Sequence, residues 1–361
     1  MNKKSDRTSE IDNFRIQDIE EIITPMELIN SIPNDINTIQ FIEQSRWIIR
    51  NIVNLNDPRL AVITWPCSIH NPDEAIEFAK KLQILQKENP HLYIIMRTYF
   101  EKPRTTVWWK GLMNDPDLDD SCDINKWLKI ARQLLMDINK MWIPTAVEFL
   151  DTITPQYIAD LVHWWAIWAR TTESQEHRKL VSWLSMPVWF KNWTNWDVQV
   201  AIDAVNSSKK PHVFLSTTKE WKTAKVTTMW APNWHIILRW WSYWSNFDRM
   251  SINNATEKAQ NNWVDTWIII DASHANSNKD YKNQPKVTKE VALQIASWNK
   301  KIVWIMIEAN LCEWAQKHTA WKNNPKDLQY WVSITDSCID LKTHDPLLNE
   351  LNEATWERMK K

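Results

Sequence analysis

The chain has 361 residues, enough for one large core or two ordinary ones, and a formal net charge of -1. A net charge this close to zero produces no overall electrostatic field that would attract nucleic acid or an anionic membrane, so we expect neither as a partner. The N-terminus lacks the apolar core of a signal peptide, and no apolar run approaches the ~18 residues of a membrane helix. The four cysteines form no CxxC pair, which indicates a reducing compartment and a cytoplasmic protein.

Glycine and tryptophan occur in unusual numbers. The chain has one glycine and 27 tryptophans, whereas average usage puts glycine near ~7% of residues. Many tryptophans stand where turn or cap chemistry favours glycine, such as Trp65 before Pro66, Trp142 and Trp193. We interpret these tryptophans as occupying glycine positions. The alternative is a protein that evolved to be rich in tryptophan.

The pattern of elements along the chain predicts an α/β fold. Residues 1–55 are polar and helical in tendency, and we predict an N-terminal extension there, ahead of one barrel domain over 56–361. In that domain short β-branched runs alternate with longer amphipathic stretches, which indicates βα units and a parallel sheet. The predicted strands are 59–65, 92–97, 143–148, 165–169, 187–191, 235–239, 267–271 and 302–308. Eight strands predict a closed (β/α)8 TIM barrel, and the polar segment at about 212–228 predicts an inserted β-hairpin.

Nearly every predicted strand ends in a polar or ionisable residue. They are Cys67, Arg97, Glu148, Arg170, Lys191, Arg239, His274 and Glu308, with Lys102 and Arg104 just after the second strand. Active sites of such barrels form at the C-terminal ends of the strands. One such arginine alone is more often part of a surface ion pair. Together these residues predict a single site at the barrel mouth.

These residues divide into two chemical sets. The cations Arg97, Lys102, Arg170, Lys191 and Arg239 would cradle a phosphate or carboxylate. A second set suits a divalent transition metal with an open position, because it mixes sulfur, nitrogen and oxygen ligands. Its members are Cys67, His274, Glu308 and the later Asp336. A buried cysteine is more often inert packing, so the residues alone leave both interpretations open.

Successive segments resemble the signature motifs of class I 3-deoxy-D-arabino-heptulosonate 7-phosphate (DAHP) synthases. They are ITWPCSIH, MRTYFEKPRTTVWWKGLMNDP, AIWARTTESQEHR, LSMPVWFKNWT, HIILRWW, DASHANSNKDY and SITDSCI. The resemblance runs from about residue 12 to residue 345. The family pattern has glycine at Trp65, Trp108, Trp168, Trp183, Trp189, Trp193, Trp240, Trp241 and Trp331. Trp109 and Trp164, in contrast, match tryptophans of the pattern.

The resemblance implies a reaction and the residues that perform it. The reaction is the condensation of phosphoenolpyruvate with D-erythrose 4-phosphate to DAHP and phosphate, the first step of the shikimate pathway to the aromatic amino acids. By motif, the implied metal ligands are Cys67, His274, Glu308 and Asp336, and the metal is Mn, Fe, Co or Zn. The metal would polarise the aldehyde oxygen.

The resemblance also implies roles for the cations. Phosphoenolpyruvate would be held by Arg97, Lys102, Arg170, Lys191 and Arg239, and the aldose phosphate by Arg104 and Thr105. The implied catalytic residues are Lys102, Arg97 and Glu148. Lys102 lies between the two substrates in this pattern, which makes it a candidate proton donor.

Three segments resemble the phenylalanine-regulated branch of the family more than the tyrosine-regulated one. They are DNFRIQDIEEIITP, FLDTITPQY and FLSTTK. By that likeness an aromatic amino acid effector, phenylalanine, would be bound by Pro155, Gln156, Ser185, Phe214 and Ser216. The N-terminal arm of a neighbouring subunit would complete this site, which implies a homo-oligomer, a dimer or tetramer. The alternative for each of these residues is ordinary packing.

The sequence leaves two alternative interpretations. One is a catalytically dead or misfolded glycine-to-tryptophan version of the enzyme, because tryptophan cannot meet the backbone needs of a glycine turn. Strain of about 1–3 kcal/mol at each of many positions would exceed the ~5–15 kcal/mol of a typical fold. The other is the related synthase of an eight-carbon sugar acid phosphate, which the KPRTT and WWKG segments disfavour.

Overall fold

The computed structural model describes residues 13–102, 111–113, 115–191, 198–230, 234–238, 245–264, 267–319 and 322–360. Its strands are β1 Leu60–Thr64, β2 Leu92–Arg97, β3 Thr145–Glu148, β4 Trp164–Ile167, β5 Val188–Lys191, β6 Val213–Thr217, β7 Thr223–Thr227, β8 Trp234–Leu238, β9 Ile268–Asp271 and β10 Ile302–Ile307. Its helices are α1 Pro25–Ser31, α2 Ile36–Val53, α3 Pro72–Glu88, α4 Ile124–Lys140, α5 Pro155–Ile158, α6 Gln175–Trp183, α7 Gln199–Ser208, α8 Arg249–Asn261, α9 Gln284–Ala296 and α10 Leu341–Met359.

Eight parallel strands close into a barrel in the order β1-β10-β9-β8-β5-β4-β3-β2. The predicted (β/α)8 barrel is therefore confirmed. Both faces of each strand are covered, which explains the continuous apolar runs of β1, β2 and β10. Closure is made by β1 and β10, where Ala61 pairs with Trp304 and Thr64 with Ile307. This register brings the C-terminal ends of the first and last barrel strands side by side.

The helices on the outside are amphipathic and capped. In α4 the side chain of Asp123 accepts a hydrogen bond from the backbone of Lys126, which satisfies a free N–H at the helix start. The buried face of α4 includes Leu128, Ala131 and Leu135, spaced three and four residues apart as a helix requires. Among the described residues, every helix is too short or too polar to span a bilayer.

The N-terminal extension contacts the inserted hairpin. Thr24 and Glu27 form a capping box at the start of α1. The backbone N–H of Met26 in the same turn donates to the carbonyl of Lys219, beyond β6. The hairpin consists of β6 and β7, paired antiparallel from Val213 with Thr227. The first part of the chain and the insertion therefore lie together outside the barrel.

Three tryptophans fill part of the barrel interior. Trp164 on β4, Trp189 on β5 and Trp304 on β10 are fully buried. Their ring centroids lie 4.9 to 6.0 Å apart. The indole rings share the interior with aliphatic side chains such as Ile63, Ile95, Ile237 and Ile269, the kind that usually dominates such barrels.

Candidate functional site

Four residues of the predicted metal set come together at the barrel mouth. They are Cys67 after β1, His274 after β9, Glu308 at the end of β10 and Asp336 in the segment before α10. One ligand atom from each lies within 4.8 Å of the other three. The residues come from three strand ends and a later loop, so the closed barrel assembles the cluster.

The orientation of His274 fits a metal ligand. Its Nδ1 lies 3.0 Å from Oδ2 of Asp271 and 2.7 Å from Oγ of Ser273. These contacts leave Nε2 facing the cluster, 3.5 Å from Oε1 of Glu308. A histidine that binds metal usually donates its other ring N–H to such a carboxylate. The sequence analysis did not single out Asp271, although its position three residues before His274 in DASH was a usable signal.

The surroundings of Cys67 also fit a bound cation. Its thiol is buried and donates to Oδ2 of Asp336 at 2.9 Å. Burial, together with the nearby Asp336 and Glu308 carboxylates, raises the pKa of the Cys67 thiol to about 12. A thiolate and two carboxylates this close repel one another unless a cation binds between them. The donor set therefore suits a divalent transition metal.

The buried cation Arg97 joins the two chemical sets. Its Nη1 lies 2.7 Å from Oε1 of Glu308, and its Nη2 donates to the carbonyl of Cys67 at 3.1 Å. The guanidinium packs 4.1 Å from the ring centroid of Tyr99, a residue that the sequence analysis missed. Burial has the largest single effect and would lower the pKa of Arg97, but the coulombic effects of Glu308, Tyr99, Cys67 and Glu148 together outweigh it and the pKa is raised. The arginine therefore stays charged inside the barrel.

Two lysines lie at the same mouth. Lys191, at the end of β5, forms a buried ion pair with Glu148, at the end of β3. Burial has the largest single effect and would raise the pKa of Glu148, but Lys191, Lys102 and Arg97 together outweigh it and the pKa is lowered, so the pair is ionised. Lys102 Nζ lies 3.8 Å from Oδ2 of Asp336. Burial has the largest single effect and would lower the pKa of Lys102, but Cys67, Asp336 and Glu308 together outweigh it and the pKa is raised.

The remaining predicted cations are placed differently. Arg170 follows β4 and is solvent-exposed, with its guanidinium 4.6 Å from the ring centroid of Trp168. Arg104, Thr105 and Arg239 lie outside the described residues. Of the five predicted anion ligands, the described structure thus brings Arg97, Lys102 and Lys191 to the mouth.

A cavity of about 380 Å³ lies on the outside of the barrel, between the N-terminal extension and α5. Its lining includes three of the five predicted effector residues, Pro155, Gln156 and Ser185. Phe214 and Ser216 lie on β6 and are absent from the lining residues that the structure describes. The hairpin nevertheless reaches the cavity, because Gln156 Nε2 donates to the carbonyl of Thr217 at 2.9 Å.

Comparisons with known proteins agree on one family. Residues 32–349 match the model of the DAHP synthetase I family. The Phe-sensitive phospho-2-dehydro-3-deoxyheptonate aldolase of Escherichia coli K12 is 45% identical over 348 residues, 96% of this chain and 98% of that protein. The Tyr-sensitive enzyme of Salmonella typhimurium is 42% identical over 345 residues, 95% and 96% of the two chains. The structure of phospho-2-dehydro-3-deoxyheptonate aldolase from Francisella tularensis superposes with a TM-score of 0.91 at 45% identity, covering 95% of this chain and 99% of that one.

Proposed function

We propose, because the chain belongs to the DAHP synthetase I family, that the barrel mouth described above is its active site. The chain is a DAHP synthase, a transferase that condenses phosphoenolpyruvate with erythrose 4-phosphate in aromatic amino acid biosynthesis. The observation that carries the site assignment is the cluster of Cys67, His274, Glu308 and Asp336, at the same end of the barrel as Arg97, Lys102 and Lys191.

The family is metal-dependent, and the four clustered residues would hold the ion. When bound, a divalent metal supplies Lewis-acid polarisation of the aldehyde oxygen of erythrose 4-phosphate. We propose Mn, Fe, Co or Zn, since the thiolate and imidazole ligands favour a transition metal over Mg or Ca. Asp271 would hold His274 in the orientation that leaves Nε2 free for the ion.

The cations would bind and orient phosphoenolpyruvate. Arg97 offers a planar fork suited to carboxylate or phosphate, and its contact with Glu308 fixes the position of that fork. Lys191 is held at the mouth by Glu148. Arg170, Arg239, Arg104 and Thr105 keep the roles that the motif implies, the first two toward phosphoenolpyruvate and the others toward the aldose phosphate. Fixed positive charge here would stabilise the charge that develops as the substrates react.

The reaction requires a bond from C3 of phosphoenolpyruvate to the aldehyde carbon, addition of water at C2, and loss of phosphate. The aldehyde oxygen gains a proton during this sequence. Lys102 is the candidate donor, because it is buried at the mouth, its pKa is raised, and its Nζ lies 3.8 Å from Asp336. We propose Lys102, Arg97 and Glu148 as the catalytic residues.

We further propose that an aromatic amino acid, phenylalanine, binds in the cavity lined by Pro155, Gln156 and Ser185. The support is the cavity itself, about 380 Å³ in volume, and the 45% identity to a relative named Phe-sensitive. Phe214 and Ser216 would approach from the hairpin. We also propose a homo-oligomer, a dimer or tetramer in which residues 1–55 of a neighbouring subunit complete this site, and a cytoplasmic location.

The test is a coupled measurement of folding and turnover. Purified protein is first melted to establish cooperative unfolding, and then assayed by loss of the enol absorbance of phosphoenolpyruvate. We expect loss of absorbance only when erythrose 4-phosphate and a divalent metal are both present. Folded, metal-loaded protein that leaves phosphoenolpyruvate unchanged would contradict the proposal. The alternative of an inactive relative is not better supported, because the chain carries every functional side chain of the motifs.

A further inference from the structure

We infer that the tryptophans at helix ends, tight turns and the barrel wall occupy glycine positions, and that the polypeptide made in its source cell carries glycine there. The only glycine, Gly111, has a φ of 129°, and a Cβ at this position would lie 2.2 Å from the carbonyl oxygen of Phe100. The fold therefore requires glycine at this close approach. It is unexpected that a barrel of this size would require glycine only once.

The ends of three helices give the first line of evidence. After α4, α8 and α9 a tryptophan has a left-handed φ, 61° at Trp142, 60° at Trp263 and 77° at Trp298. At each end the tryptophan N–H donates to the carbonyl three residues back, and the next N–H donates to the carbonyl five residues back. The paired bonds are Trp142 to Asn139 with Ile143 to Ile138, Trp263 to Gln260 with Val264 to Ala259, and Trp298 to Ile295 with Asn299 to Gln294.

This bond pattern is the Schellman motif, in which the left-handed residue is usually glycine. A bulky side chain is rarely found at such a φ because its Cβ crowds the backbone. Burial cannot explain the choice of residue, since the side chain of Trp263 is 92% exposed. Leucine can occupy such a position, as Leu55 does after α2 with a φ of 57°. The same tryptophan at three other helix ends nevertheless indicates positions that favour glycine rather than indole.

Turns outside the helices show the same preference. Trp221, Trp314 and Trp331 have φ values of 58°, 71° and 68°. Trp221 lies in the turn between β6 and β7, where its N–H donates to the carbonyl of Thr218. The turn is closed by a second bond, from the Thr218 N–H to the carbonyl of Lys222. Glycine meets this backbone requirement without steric cost.

Buried tryptophans are compatible with the same interpretation. Trp65, Trp165 and Trp304 are at most 2% exposed. Their indole N–H groups have no acceptor among the residues that the structure describes. Buried tryptophans normally find such a partner, because an unpaired buried donor destabilises the fold. Glycine at these positions would remove the unsatisfied donor together with the ring, but Trp164, which matches a tryptophan of the family motifs, is equally buried and lacks an acceptor too, so an unpaired donor does not by itself mark a glycine position.

No property of tryptophan is required at helix ends, turns and the barrel wall alike, whereas glycine can be required at each of these places. A single cause accounts for the tryptophans at all three kinds of place. One codon, which is read as tryptophan in this sequence, is translated as glycine in the source cell. Trp109 and Trp164, which match tryptophans of the family motifs, would use a different codon that encodes tryptophan. This inference does not depend on the proposed active site, because it rests on backbone angles.

The gene and the native protein test the inference directly. We expect the codon at positions 142, 263 and 298 to differ from the codon at 164. We also expect mass spectrometry of protein from the source cell to find glycine in peptides covering the first three positions and tryptophan at 164. Tryptophan masses at 142, 263 and 298, or one codon shared by all four positions, would overturn the inference.

A stability comparison tests the structural argument separately. The substitutions are made in a glycine form of the chain, so that the comparison does not require the chain with all its tryptophans to fold. It carries glycine at Trp65, Trp108, Trp142, Trp165, Trp168, Trp183, Trp189, Trp193, Trp221, Trp240, Trp241, Trp263, Trp298, Trp304, Trp314 and Trp331. Returning tryptophan to position 263 should lower the melting midpoint of this form. The control is the opposite change, Trp47→Gly within α2, which should lower the midpoint too because a helix interior disfavours glycine. A midpoint that rises when tryptophan returns to 263 would contradict the inference.

Discussion

Nη1 of Arg97 lies 2.7 Å from Oε1 of Glu308, and both side chains are buried. The sequence predicted that Arg97 binds a phosphate or carboxylate and that Glu308 is a metal ligand. The contact shows that a buried ion pair connects the two sets. A second guanidinium nitrogen binds the carbonyl of Cys67, another member of the metal set. Metal affinity and phosphoenolpyruvate binding should therefore change together when Arg97 is altered.

This and the following point substitutions are made in the glycine form of the chain, in which Arg97→Lys should weaken both functions. Lysine keeps the charge but cannot reach Glu308 and the Cys67 carbonyl at once, since it lacks the planar fork. We expect metal affinity to fall about 10- to 100-fold, as for other groups that orient metal ligands, and the KM for phosphoenolpyruvate to rise. Arg59→Lys is the matched control, because Arg59 pairs with Asp57 away from the mouth. Unchanged metal affinity in titrations of Arg97→Lys would refute the coupling.

Cys67→Ser should abolish metal-dependent activity. Serine keeps the size of the side chain but replaces the soft thiolate with a hydroxyl that binds transition metals weakly. We expect chelation to abolish turnover of the unaltered protein, and Cys67→Ser to bind little metal. The control is Cys122→Ser, at an exposed position away from the cluster. Chelator-resistant turnover at full rate by Cys67→Ser would show that the metal assignment is wrong.

Phenylalanine should inhibit the enzyme through the cavity beside α5. Gln156→Leu removes the amide that donates to Thr217, and with it the link between α5 and the hairpin. We expect the inhibition constant for phenylalanine to rise about 5- to 150-fold, the usual range of coupling between sites, while turnover without effector is preserved. Lys225→Met, on the hairpin strand β7, is the control. Inhibition by tyrosine but not phenylalanine would contradict the choice of effector.

The barrel and most of its mouth could be predicted because both depend on local patterns. Cys67, His274 and Glu308 end strands or directly follow them, and parallel strand ends meet at one edge. Contacts across the barrel could not be predicted, since the pairing of Arg97 with Glu308 depends on the register at which β1 joins β10. Arg170 lies exposed beside Trp168, and its role toward phosphoenolpyruvate stays a prediction.

Stability should depend on pH through Glu74, at the start of α3. Burial raises the pKa of this carboxyl to about 7, although the backbone N–H of Trp331 donates to it and opposes the rise. The facing groups are His70, 3.8 Å away, and Glu77. A raised pKa means that the folded state holds the proton more tightly than the unfolded state. The stabilisation is therefore complete below about pH 4.5 and is lost as pH rises through about 7.

Glu74→Gln should remove this dependence. Glutamine keeps an oxygen for the Trp331 N–H but has no proton to lose at neutral pH. We expect the variant to be more stable than the unaltered protein by about 1–3 kcal/mol at pH 8, with the difference vanishing near pH 4.5. Denaturant melts across this pH range make the measurement, and Glu88→Gln at the end of α3 serves as control. Equal stability of the two proteins at pH 8 would refute the raised pKa.

Restoring glycine should act unequally at different places in the fold. A site set comprises Trp65, Trp168, Trp189, Trp193, Trp240 and Trp241, of which the last three lie outside the described residues. Trp65 stands two residues before Cys67, and the ring of Trp168 stacks on Arg170. Glycine at these positions should clear the pocket and improve substrate binding. It should not rescue the fold, because the helix-end set remains strained.

The helix-end set comprises Trp142, Trp263 and Trp298. Each left-handed tryptophan costs about 1–3 kcal/mol, so the three together approach the ~5–15 kcal/mol by which a typical fold is stable. Glycine at this set should raise the melting midpoint and leave the KM values unchanged, which separates its effect from that of the site set. Restoring both sets, with the other glycine positions, should give an oligomer that consumes phosphoenolpyruvate only with erythrose 4-phosphate and metal. Cooperative melting and full turnover by the chain with all 27 tryptophans would show that these glycines are dispensable, because the barrel would then tolerate left-handed and buried indoles at little cost.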